Sequence, residues 1–340
     1  MPRSVAVAIP CWNGRRWLDG CIESVHAQSR PPDELIVVDN GSSDGSPAHV
    51  RLGHPGVRVI ELGRNTGFAG AANAGLRATH ADAVALVNTD VRLEPDWLER
   101  TCAALEREPG AASVATKMLD LGDPSLVYDA GDVLRRDGAC EQRGRFRRDD
   151  GRFDRPGEVF GACAGAALYR RSAVVAAGAF DERFFLYLED ADLALRLRLA
   201  GWTCVYEPAV ALHAGEGSGG PPERPVHAWA ERNTLLLVAR SFPWRWAPLV
   251  AYRQAAWAWH ALKRGRLRSH LSGAAAAAPL LPAMWRERRT LRRSALVPVA
   301  AAVPRHPLRG FAWEREALAA PRPQEPASRG PIASRKRSVE

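Results

Sequence analysis

Short apolar runs alternate with amphipathic stretches through the first third of the chain. Runs typical of buried strands cover residues 5–9, 34–39, 57–61, 83–88 and 112–117. Stretches with apolar residues three or four positions apart, as in a helix, cover residues 17–28, 68–78 and 95–107. This alternation of strand and helix predicts an α/β fold with a mainly parallel central sheet and helices on both faces.

The pattern changes twice after residue 120. The pattern loosens over residues 120–154, where the polar stretch 143–150 is predicted to form a loop, and regular spacing returns at residues 159–171, 189–200, 203–207 and 210–213. A Gly/Pro-rich hinge at residues 217–225 precedes helical stretches at residues 229–242, 244–264 and 284–293. We therefore predict an α/β domain over residues 1–225, a helical region over 226–319 and a disordered tail over 320–340.

Charge is distributed unevenly between these parts. Residues 1–225 contain 26 Lys or Arg and 32 Asp or Glu, a net charge of −6, whereas residues 226–340 contain 21 and 6, a net charge of +15. Seven of the eleven tryptophans also follow residue 228. Tryptophan and basic residues together favour an anionic membrane surface as the partner of the C-terminal region.

Two other interpretations of the basic region stay open. Its tryptophans could form the core of an ordinary helical bundle, or its charge could bind nucleic acid with a strong dependence on salt. We expect no nucleic-acid partner. The N-terminus lacks the apolar core and cleavage site of a signal peptide, so we expect a cytoplasmic protein, peripheral on the inner face of the cell membrane.

Polar residues follow two predicted strands at their carboxyl ends, where open α/β sheets bind ligands. Asp39 opens an Asp-Asn-Gly-Ser-Ser turn, and its carboxylate could accept an N–H of a pyrimidine base. Asn88, Thr89 and Asp90 follow another strand, where an Asp can supply one oxygen ligand to a divalent ion on a diphosphate. Taken alone, the Asp39 motif is equally well explained as an ordinary turn, and the Asn88 triplet is better explained as one.

Two more motifs carry candidate chemistry later in the chain. Glu189, Asp190 and Asp192 cluster at the predicted start of a helix. A helix N-terminus favours negative charge, but three carboxylates exceed the need of a cap, and one could deprotonate a sugar hydroxyl. His213 ends a short strand before a Gly-rich segment; such a histidine is usually structural, although here it could lie beneath a lid.

Taken in order, these motifs resemble the family-2 glycosyltransferases of the GT-A fold, and most closely the rhamnosyltransferase-like branch. The resemblance covers residues 4–235. It rests on the opening strand from Val7 to Asn13, Asp39, the segment from Asn65 to Asn73, the triplet from Asn88 to Asp90, the pair Glu189 and Asp190, His213, and the pair Arg232 and Asn233.

The resemblance implies a single inverting transfer from a nucleotide-diphosphate sugar, such as dTDP-rhamnose, to a glycan or polyprenyl-linked acceptor in cell-surface polysaccharide synthesis. It implies Asp190 as the general base with Glu189 beside it, and a divalent metal, Mg²⁺ or Mn²⁺, at Asp90 and His213. The residues that it implies on the nucleotide side are Pro10, Asn13, Asp39, Asn65, Gly67, Asn73, Asn88 and Thr89.

The chain departs from the family pattern at two positions. Asn88 replaces the first acid of the D-x-D metal motif, so the metal should rest mainly on Asp90. Ala72 stands where an arginine often precedes the nucleotide-side asparagine. These departures leave open a non-catalytic subunit that binds nucleotide sugar or glycan within a membrane-associated assembly. A nucleotidyltransferase is disfavoured, since no Gly-rich triphosphate loop with a lysine lies near the N-terminus.

Overall fold

The computed structural model of the protein describes residues 2–215 and 225–306. The predicted disordered tail over 320–340 therefore lies outside the described residues, as do 216–224 of the Gly/Pro-rich region and residues 307–319 of the helical region. The described chain folds around a ten-stranded sheet with helices on both faces and a helical layer at its C-terminal end.

Twelve strands occur among the described residues. They are β1 (Val5–Cys11), β2 (Glu34–Asp39), β3 (Arg58–Glu61), β4 (Ala83–Val87), β5 (Val91–Leu93), β6 (Ala111–Asp120), β7 (Val127–Asp129), β8 (Asp132–Leu134), β9 (Cys140–Gln142), β10 (Gly157–Val159), β11 (Ala166–Arg170) and β12 (Thr203–His213). The order across the main sheet is β10-β12-β6-β11-β4-β1-β2-β3, with β5 beside β12 and β7 beside β6; β8 and β9 form a separate pair.

The main sheet is mainly parallel, as the sequence predicts. Strands β4, β1, β2 and β3 run parallel to one another, and β12 runs parallel to β6. Between these two groups lies β11, which is antiparallel to both β4 and β6. The parallel strands therefore bring their carboxyl ends to a single edge, and this edge is where the polar motifs lie.

Eleven α-helices lie in the same part of the chain. They are α1 (Arg15–His26), α2 (Ser46–Gly53), α3 (Gly67–Ala78), α4 (Trp97–Arg107), α5 (Arg171–Ala176), α6 (Glu189–Leu199), α7 (Val226–Ser241), α8 (Ala247–Lys263), α9 (Leu267–Ala277), α10 (Leu281–Ser294) and α11 (Val299–Ala302).

The helices cover both faces of the sheet and enclose two apolar cores. Leu18 and Ile22 of α1 join Leu98 of α4 in the core on one face. Leu76 of α3 and Leu193 of α6 belong to the core on the other face. All five side chains are buried, as expected when each helix places one apolar stripe on the sheet.

Two predicted features differ from the structure. Residues 120–154, where the loosened pattern predicts no regular element, contain β7, β8 and β9; each is only three residues long, too short to show a period of two in the sequence. The stretch 143–150, predicted as a loop, lies between β9 and β10. The two strands predicted at residues 203–207 and 210–213 are one strand, β12, whose register shifts between Glu207 and Val210. Pro208 lies in this shift, because a proline has no N–H to donate to a neighbouring strand.

The C-terminal helices share a third apolar core with the α/β part of the chain. Leu195 and Leu199 of α6 are buried together with Leu236 and Leu237 of α7 and Met284 of α10. The domain boundary at residue 225 stays a prediction. The shared core nevertheless means that α6 has one side on the sheet and the other side on the helical layer.

The tryptophans of the helical layer divide between its core and its surface. Trp246 is buried, whereas Trp244, Trp259 and Trp285 are 67%, 52% and 48% exposed. The bundle-core interpretation therefore accounts for Trp246 but not for the exposed indoles. No helix within residues 2–215 and 225–306 is long and apolar enough to cross a membrane.

Candidate active site

Asp39 ends β2 and is almost fully buried, with 2% of its surface exposed. Its Oδ2 accepts hydrogen bonds from the backbone N–H groups of Gly41 and Ser42, both at 3.2 Å. Its Oδ1 is buried and makes no hydrogen bond within the described part of the chain. A buried carboxylate oxygen without a donor is costly, so Asp39 has one oxygen available for a ligand N–H.

Asn13 connects the end of β1 to the turn that follows β2. Its Oδ1 accepts a hydrogen bond from the N–H of Ser43 at 2.8 Å, and its own N–H donates to Ser42 Oγ at 2.9 Å. Its φ of 53° is in the left-handed region, which asparagine tolerates better than most residues. Pro10 lies in β1 and is partly buried. Asn13 therefore holds the shape of the turn that carries the Asp39 hydrogen bonds.

Asn65 and Gly67 organise the entry to α3. Asn65 Oδ1 accepts from the N–H of Gly67 at 2.9 Å and from Asn40 Nδ2 at 3.0 Å. Gly67 has a φ of 76°, and a Cβ at this position would collide with the carbonyl oxygen of Phe185. Asn65 therefore shapes the backbone, and Gly67 permits close contact with the segment that precedes α6.

The Asn88 triplet lies between β4 and β5. The N–H of Asn88 donates to the Gly165 carbonyl at 2.8 Å, and Thr89 and Asp90 are buried. Asp90 Oδ1 lies 3.5 Å from His213 Nε2. This proximity follows from the pairing of β5 with the end of β12, which sets Val91 opposite His213.

His213 is buried between polar and aromatic neighbours. Burial lowers its pKa, and the nearby Asp90 carboxylate acts in the opposite direction. Its Nδ1 accepts a hydrogen bond from the N–H of Gly215 at 2.8 Å, which leaves Nε2 as the protonated nitrogen of the neutral ring. The ring stacks on Tyr128 with a centroid separation of 4.2 Å, and the guanidinium of Arg145 lies 4.3 Å from the Tyr128 centroid.

The chemistry and the 3.5 Å separation of Asp90 and His213 suit a divalent ion that is also bound by phosphate oxygens, and this metal role stays a prediction. Mg²⁺ and Mn²⁺ accept one or two protein ligands when phosphate oxygens and water complete the shell. No cluster of three or more His, Cys, Asp or Glu residues suited to a metal occurs in the described chain. His213 would bind an ion through Nε2 only after its proton moved to Nδ1, at the expense of the bond from Gly215.

Asp190 lies at the N-terminus of α6 and is partly buried. Its Oδ2 accepts from the N–H of Ala164 at 3.2 Å, and its Oδ1 accepts from the N–H of Ala191 at 2.8 Å. Burial raises the pKa of Asp190, and these two hydrogen bonds oppose the rise. Glu189 is more deeply buried, and its pKa is raised well above the usual range by burial and by the neighbouring Asp190.

The base candidate and the Asn88 triplet contact the same short turn. Asp190 binds the N–H of Ala164, and the next residue, Gly165, accepts the N–H of Asn88 through its carbonyl. Two successive residues therefore connect Asp190 to the triplet that ends in Asp90. The structure therefore brings the base candidate and this triplet to the same edge of the sheet, where β2 also ends at Asp39.

A sequence model of the family described as Glycosyl transferase family 2 matches residues 6–176 of this chain. This chain belongs to glycosyl transferase family 2. The enzyme is 31% identical over 261 residues to an N-acetylglucosaminyl-diphospho-decaprenol L-rhamnosyltransferase of Mycobacterium tuberculosis. The aligned region spans 68% of this chain and 83% of the relative. The rhamnosyltransferase-like resemblance is therefore confirmed, and the glycosyltransferase is of the hexosyltransferase class.

Other similar proteins agree with this assignment. An N-acetylglucosaminyltransferase of Mesorhizobium japonicum is 31% identical over 254 residues, which span 68% of the glycosyltransferase and 57% of that relative. A crystal structure of GalNAc-T7 with UDP, GalNAc and Mn²⁺ aligns with a TM-score of 0.56 at 13% identity, and covers 70% of the glycosyltransferase and 48% of that chain. This likeness confirms the GT-A fold.

Asn73 is placed differently from the other nucleotide-side residues of the glycosyltransferase. Its Nδ2 donates to the Phe180 carbonyl at 2.8 Å and to Glu182 Oε1 at 3.0 Å, while its Oδ1 accepts from the N–H of Phe180 at 3.0 Å. Both ends of the amide are thus engaged inside the protein. A nucleotide contact by Asn73 stays a prediction, and the contacts in hand connect α3 to the segment before α6.

Several site residues of the glycosyltransferase carry no motif that sequence reasoning could use. Tyr128 lies where the sequence pattern loosens and Arg145 lies in the stretch predicted as a loop, yet Tyr128 stacks on His213 and Arg145 stacks on Tyr128. Asp129 and Asp132 are buried near Asp190; burial raises both pKa values, that of Asp129 to about 7. Residues 120–154 are rich in acids, but the sequence pattern there does not indicate which of them are buried.

A cavity of about 400 Å³ lies elsewhere on the glycosyltransferase. Arg3, His80, Asp82 and Arg170 are among its lining residues. These residues lie at the amino ends of β1 and β4, opposite the edge that carries Asp39 and Asp90. The cavity is therefore separate from the candidate active site.

Proposed function

We propose that this glycosyltransferase is metal-dependent and moves a sugar from a nucleoside-diphosphate donor, dTDP-rhamnose or a similar compound, to a lipid-linked glycan of a cell-surface polysaccharide. The observation that carries the proposal is the single turn at Ala164 and Gly165, which joins Asp190 to the triplet ending in Asp90. The name of the mycobacterial relative, which includes a decaprenol-linked acceptor, supports the acceptor class.

In the proposed reaction, Asp190 takes the proton of an acceptor hydroxyl as that oxygen attacks the anomeric carbon. The bond from this carbon to the diphosphate breaks on the opposite face, so the configuration inverts. Asp39 holds the base of the nucleotide through its buried Oδ1. Asp90, with His213 beside it, would hold Mg²⁺ or Mn²⁺, which offsets the negative charge that grows on the leaving diphosphate.

Asp190→Asn tests the base directly. General-base catalysis contributes about 10²- to 10⁴-fold, so kcat should fall by this factor because an amide cannot accept the proton. Binding of dTDP and UDP, measured by calorimetry with Mn²⁺, should stay within about threefold, since Asp190 lies on the acceptor side. Loss of nucleotide affinity with transfer intact would contradict the assignment.

Before the Asp190→Asn variant is tested, the donor specificity of the wild-type enzyme is screened. The donors are dTDP-rhamnose, UDP-GlcNAc and GDP-mannose, each with a polyprenyl-diphosphate-linked acceptor. Transfer should require Mn²⁺ or Mg²⁺ and should stop with EDTA. Glu158→Gln serves as the control, since Glu158 is an exposed acid that pairs with Arg198. Nucleotide binding without transfer to any acceptor would instead favour the non-catalytic subunit.

We also propose that the helical layer holds the enzyme against the anionic inner face of the cell membrane. Tyr252, Ala255 and Trp259 lie on one exposed stripe of α8, with Lys263 one turn further. The Lys263 ammonium is 5.1 Å from the Trp259 ring centroid. An exposed aromatic stripe with basic neighbours is the pattern of an interfacial helix, and the charge of +15 after residue 225 supports an anionic lipid surface.

A further inference from the structure

The segment between Phe184 and Leu188 leads directly into α6 and has an unusual backbone. Phe185, Tyr187 and Leu188 have φ values of 63°, 68° and 63°, although none of them is glycine. Phe185, with ψ at −63°, is the centre of a γ-turn in which the N–H of Leu186 donates to the Phe184 carbonyl at 2.7 Å. This turn is rare and strained, so contacts from elsewhere must hold it.

The side chain of Asn233 on α7 supplies those contacts. Asn233 is completely buried, and its Nδ2 lies 2.8, 2.8 and 2.7 Å from the carbonyl oxygens of Phe184, Leu186 and Tyr187. The two N–H groups of this amide are thus shared among three carbonyls on both sides of the γ-turn. The Phe184 carbonyl also accepts the N–H of Leu186, so removing the amide would take a donor chiefly from the carbonyls of Leu186 and Tyr187.

Arg232 fixes the orientation of this amide. Its Nη1 donates to Asn233 Oδ1 at 2.6 Å, which leaves Nδ2 directed at the turn, and its Nη2 donates to the Arg183 carbonyl at 2.8 Å. The Phe185 ring, in turn, stacks on Trp229 of α7 with a centroid separation of 4.9 Å. The adjacent residues Trp229, Arg232 and Asn233 therefore form one surface of α7 on this segment.

The opposite side of the segment is held by α3. The N–H of Ala69 donates to the Phe185 carbonyl at 3.2 Å, and Gly67 leaves room for that carbonyl because it has no side chain. The γ-turn therefore lies between the helix on the nucleotide side and the first helix of the C-terminal layer. The segment that contains the turn ends at Leu188, the residue before α6, and Asp190 follows two positions later.

We propose that Asn233, oriented by Arg232, is a positioning residue for Asp190. By holding the γ-turn, it sets the direction in which α6 begins and hence the direction of the Asp190 carboxylate. The C-terminal helix α7 then contributes to the active site by holding the backbone that leads to Asp190. The inference rests on the proposed function, in which Asp190 is the general base.

Asn233→Ala tests this role, with Leu237→Ala as the matched control. Leu237 is one turn further along α7 and is completely buried, but it belongs to the apolar core of the helical layer. Removing the amide should lower kcat about 100-fold, the scale of a misplacement near 1 Å, and leave dTDP and UDP affinity within about twofold. Leu237→Ala should lower the thermal midpoint at least as much and keep most of kcat.

Three results would contradict the proposal or the function on which it rests. Equal loss of kcat in Asn233→Ala and Leu237→Ala would reduce the effect to stability and overturn the proposal. Loss of nucleotide affinity with kcat unchanged would also overturn it, because the effect would lie on the donor side. A wild-type enzyme that binds nucleotide but transfers nothing would refute the proposed function before this comparison is made.

Arg232→Ala keeps the proposal testable if Asn233→Ala does not fold. This variant retains the amide but removes its orienting hydrogen bond, so kcat should fall by a smaller factor, about tenfold, with nucleotide affinity again unchanged. An Arg232→Ala enzyme with wild-type kcat would show that the orientation of the amide has no effect on the base.

Discussion

Buried carboxylates determine the electrostatics of the acceptor side of the site. Asp129, Asp132 and Glu189 surround Asp190, and burial raises the pKa of all four. A neighbour that holds its proton at neutral pH adds no negative charge beside the base. The raised pKa values of these buried neighbours therefore limit the negative charge that accumulates beside Asp190.

This arrangement predicts a specific dependence of stability on pH. Asp129, with a pKa of about 7 in the folded protein, keeps a proton that an unfolded Asp loses near pH 4. The folded state then binds more protons between these values, so the free energy of unfolding falls as the pH rises from about 4 to about 7. Asp129→Asn should remove the part of this pH dependence that Asp129 contributes, and it should raise the free energy of unfolding at pH 8 by about 1 to 4 kcal/mol.

Urea denaturation at pH 4 and at pH 8 measures this difference. The variant and the wild type should be nearly equal at the lower pH, where Asp129 is protonated in the folded protein and about half protonated in the unfolded chain. Asp96→Asn is the control, since Asp96 is exposed on the loop before α4. A gain in stability of the same size at both pH values would contradict the assigned pKa.

Sequence reasoning at this scale identified the acids that follow strands but not their surroundings. Asp39 and Asp90 could be predicted as site residues because the carboxyl ends of parallel strands meet at one edge. The structure brings Asp90 and His213 within 3.5 Å, while their metal role stays a prediction. Asp129 and Arg145 could not be found, since nothing in a polar segment indicates which residues fold inward.

At the scale of elements, long periodic segments were predictable and short irregular ones were not. The apolar runs that became β1, β2 and β4 and the stripe of α1 follow from spacing alone. The γ-turn at Phe185 has no signal in the sequence, because left-handed residues are expected at glycine, and Phe, Tyr and Leu occupy it here. Tertiary contacts from Asn233 override that local preference.

The exposed stripe of α8 provides a prediction at the same scale. Trp259→Glu should lower binding of the full chain to vesicles that contain phosphatidylglycerol by about fivefold or more, because a charge near an anionic surface is worth about 1 kcal/mol. Leu52→Glu is the matched control, since Leu52 is an 86% exposed apolar residue on α2.

Flotation of both variants on anionic and on neutral vesicles makes the comparison. Wild-type binding should be stronger on the anionic vesicles and should be kept by Leu52→Glu. Equal flotation of Trp259→Glu and the wild type would refute the interfacial role of α8. Strong binding to DNA that weakens steeply with salt would favour the nucleic-acid alternative instead.

At the scale of the whole molecule, an ion network joins the helical layer to α6 and the segment before it. Arg240 and Asp192 are buried in this network, whereas Arg183 and Glu287 are partly exposed. Arg240 of α7 donates to Asp181 at 2.7 Å and also to Asp192, and Arg183 pairs with Glu287 of α10 at 2.6 Å. Asp192 has no exposed surface and also accepts from Arg196 at 2.9 Å. Removing one partner of a buried ion pair lowers stability far more than replacing both partners with apolar residues, because it leaves an unpaired charge buried.

We therefore expect the α/β part to fail without the helical layer. A chain that ends at residue 225 would lose Arg240 and expose the apolar side of α6, so it should aggregate or lose cooperative thermal unfolding. A chain that ends at residue 306 keeps every contact described above and should unfold in one transition. Circular dichroism and gel filtration compare the two, and a soluble, cooperative 1–225 chain would contradict the expectation.

The sequence predicted separate parts on either side of residue 225 because charge, composition and a Gly/Pro-rich hinge all change there. Charge, composition and glycine or proline content report which surfaces are polar and where the chain can turn. They do not report that Leu199 and Leu236 share a core, or that Arg240 reaches Asp192 across 48 residues of sequence. Long-range pairing of this kind has no local periodicity from which it could be predicted.

The hydrogen bonds from α7 to the γ-turn also limit which parts of related enzymes can be exchanged to make a chimaera. A chimaera that exchanges the C-terminal helices at the hinge would separate Asn233 from the carbonyls of residues 184–187 and Arg240 from Asp192. A crossover that moves residues 181–192 together with the helices would preserve both sets of contacts. Donor-side residues such as Asp39 could then be exchanged separately from residues 181–192 and the helices. The boundary between the donor-side and acceptor-side parts of a chimaera would therefore differ from the boundary at residue 225 that the Gly/Pro-rich sequence suggests.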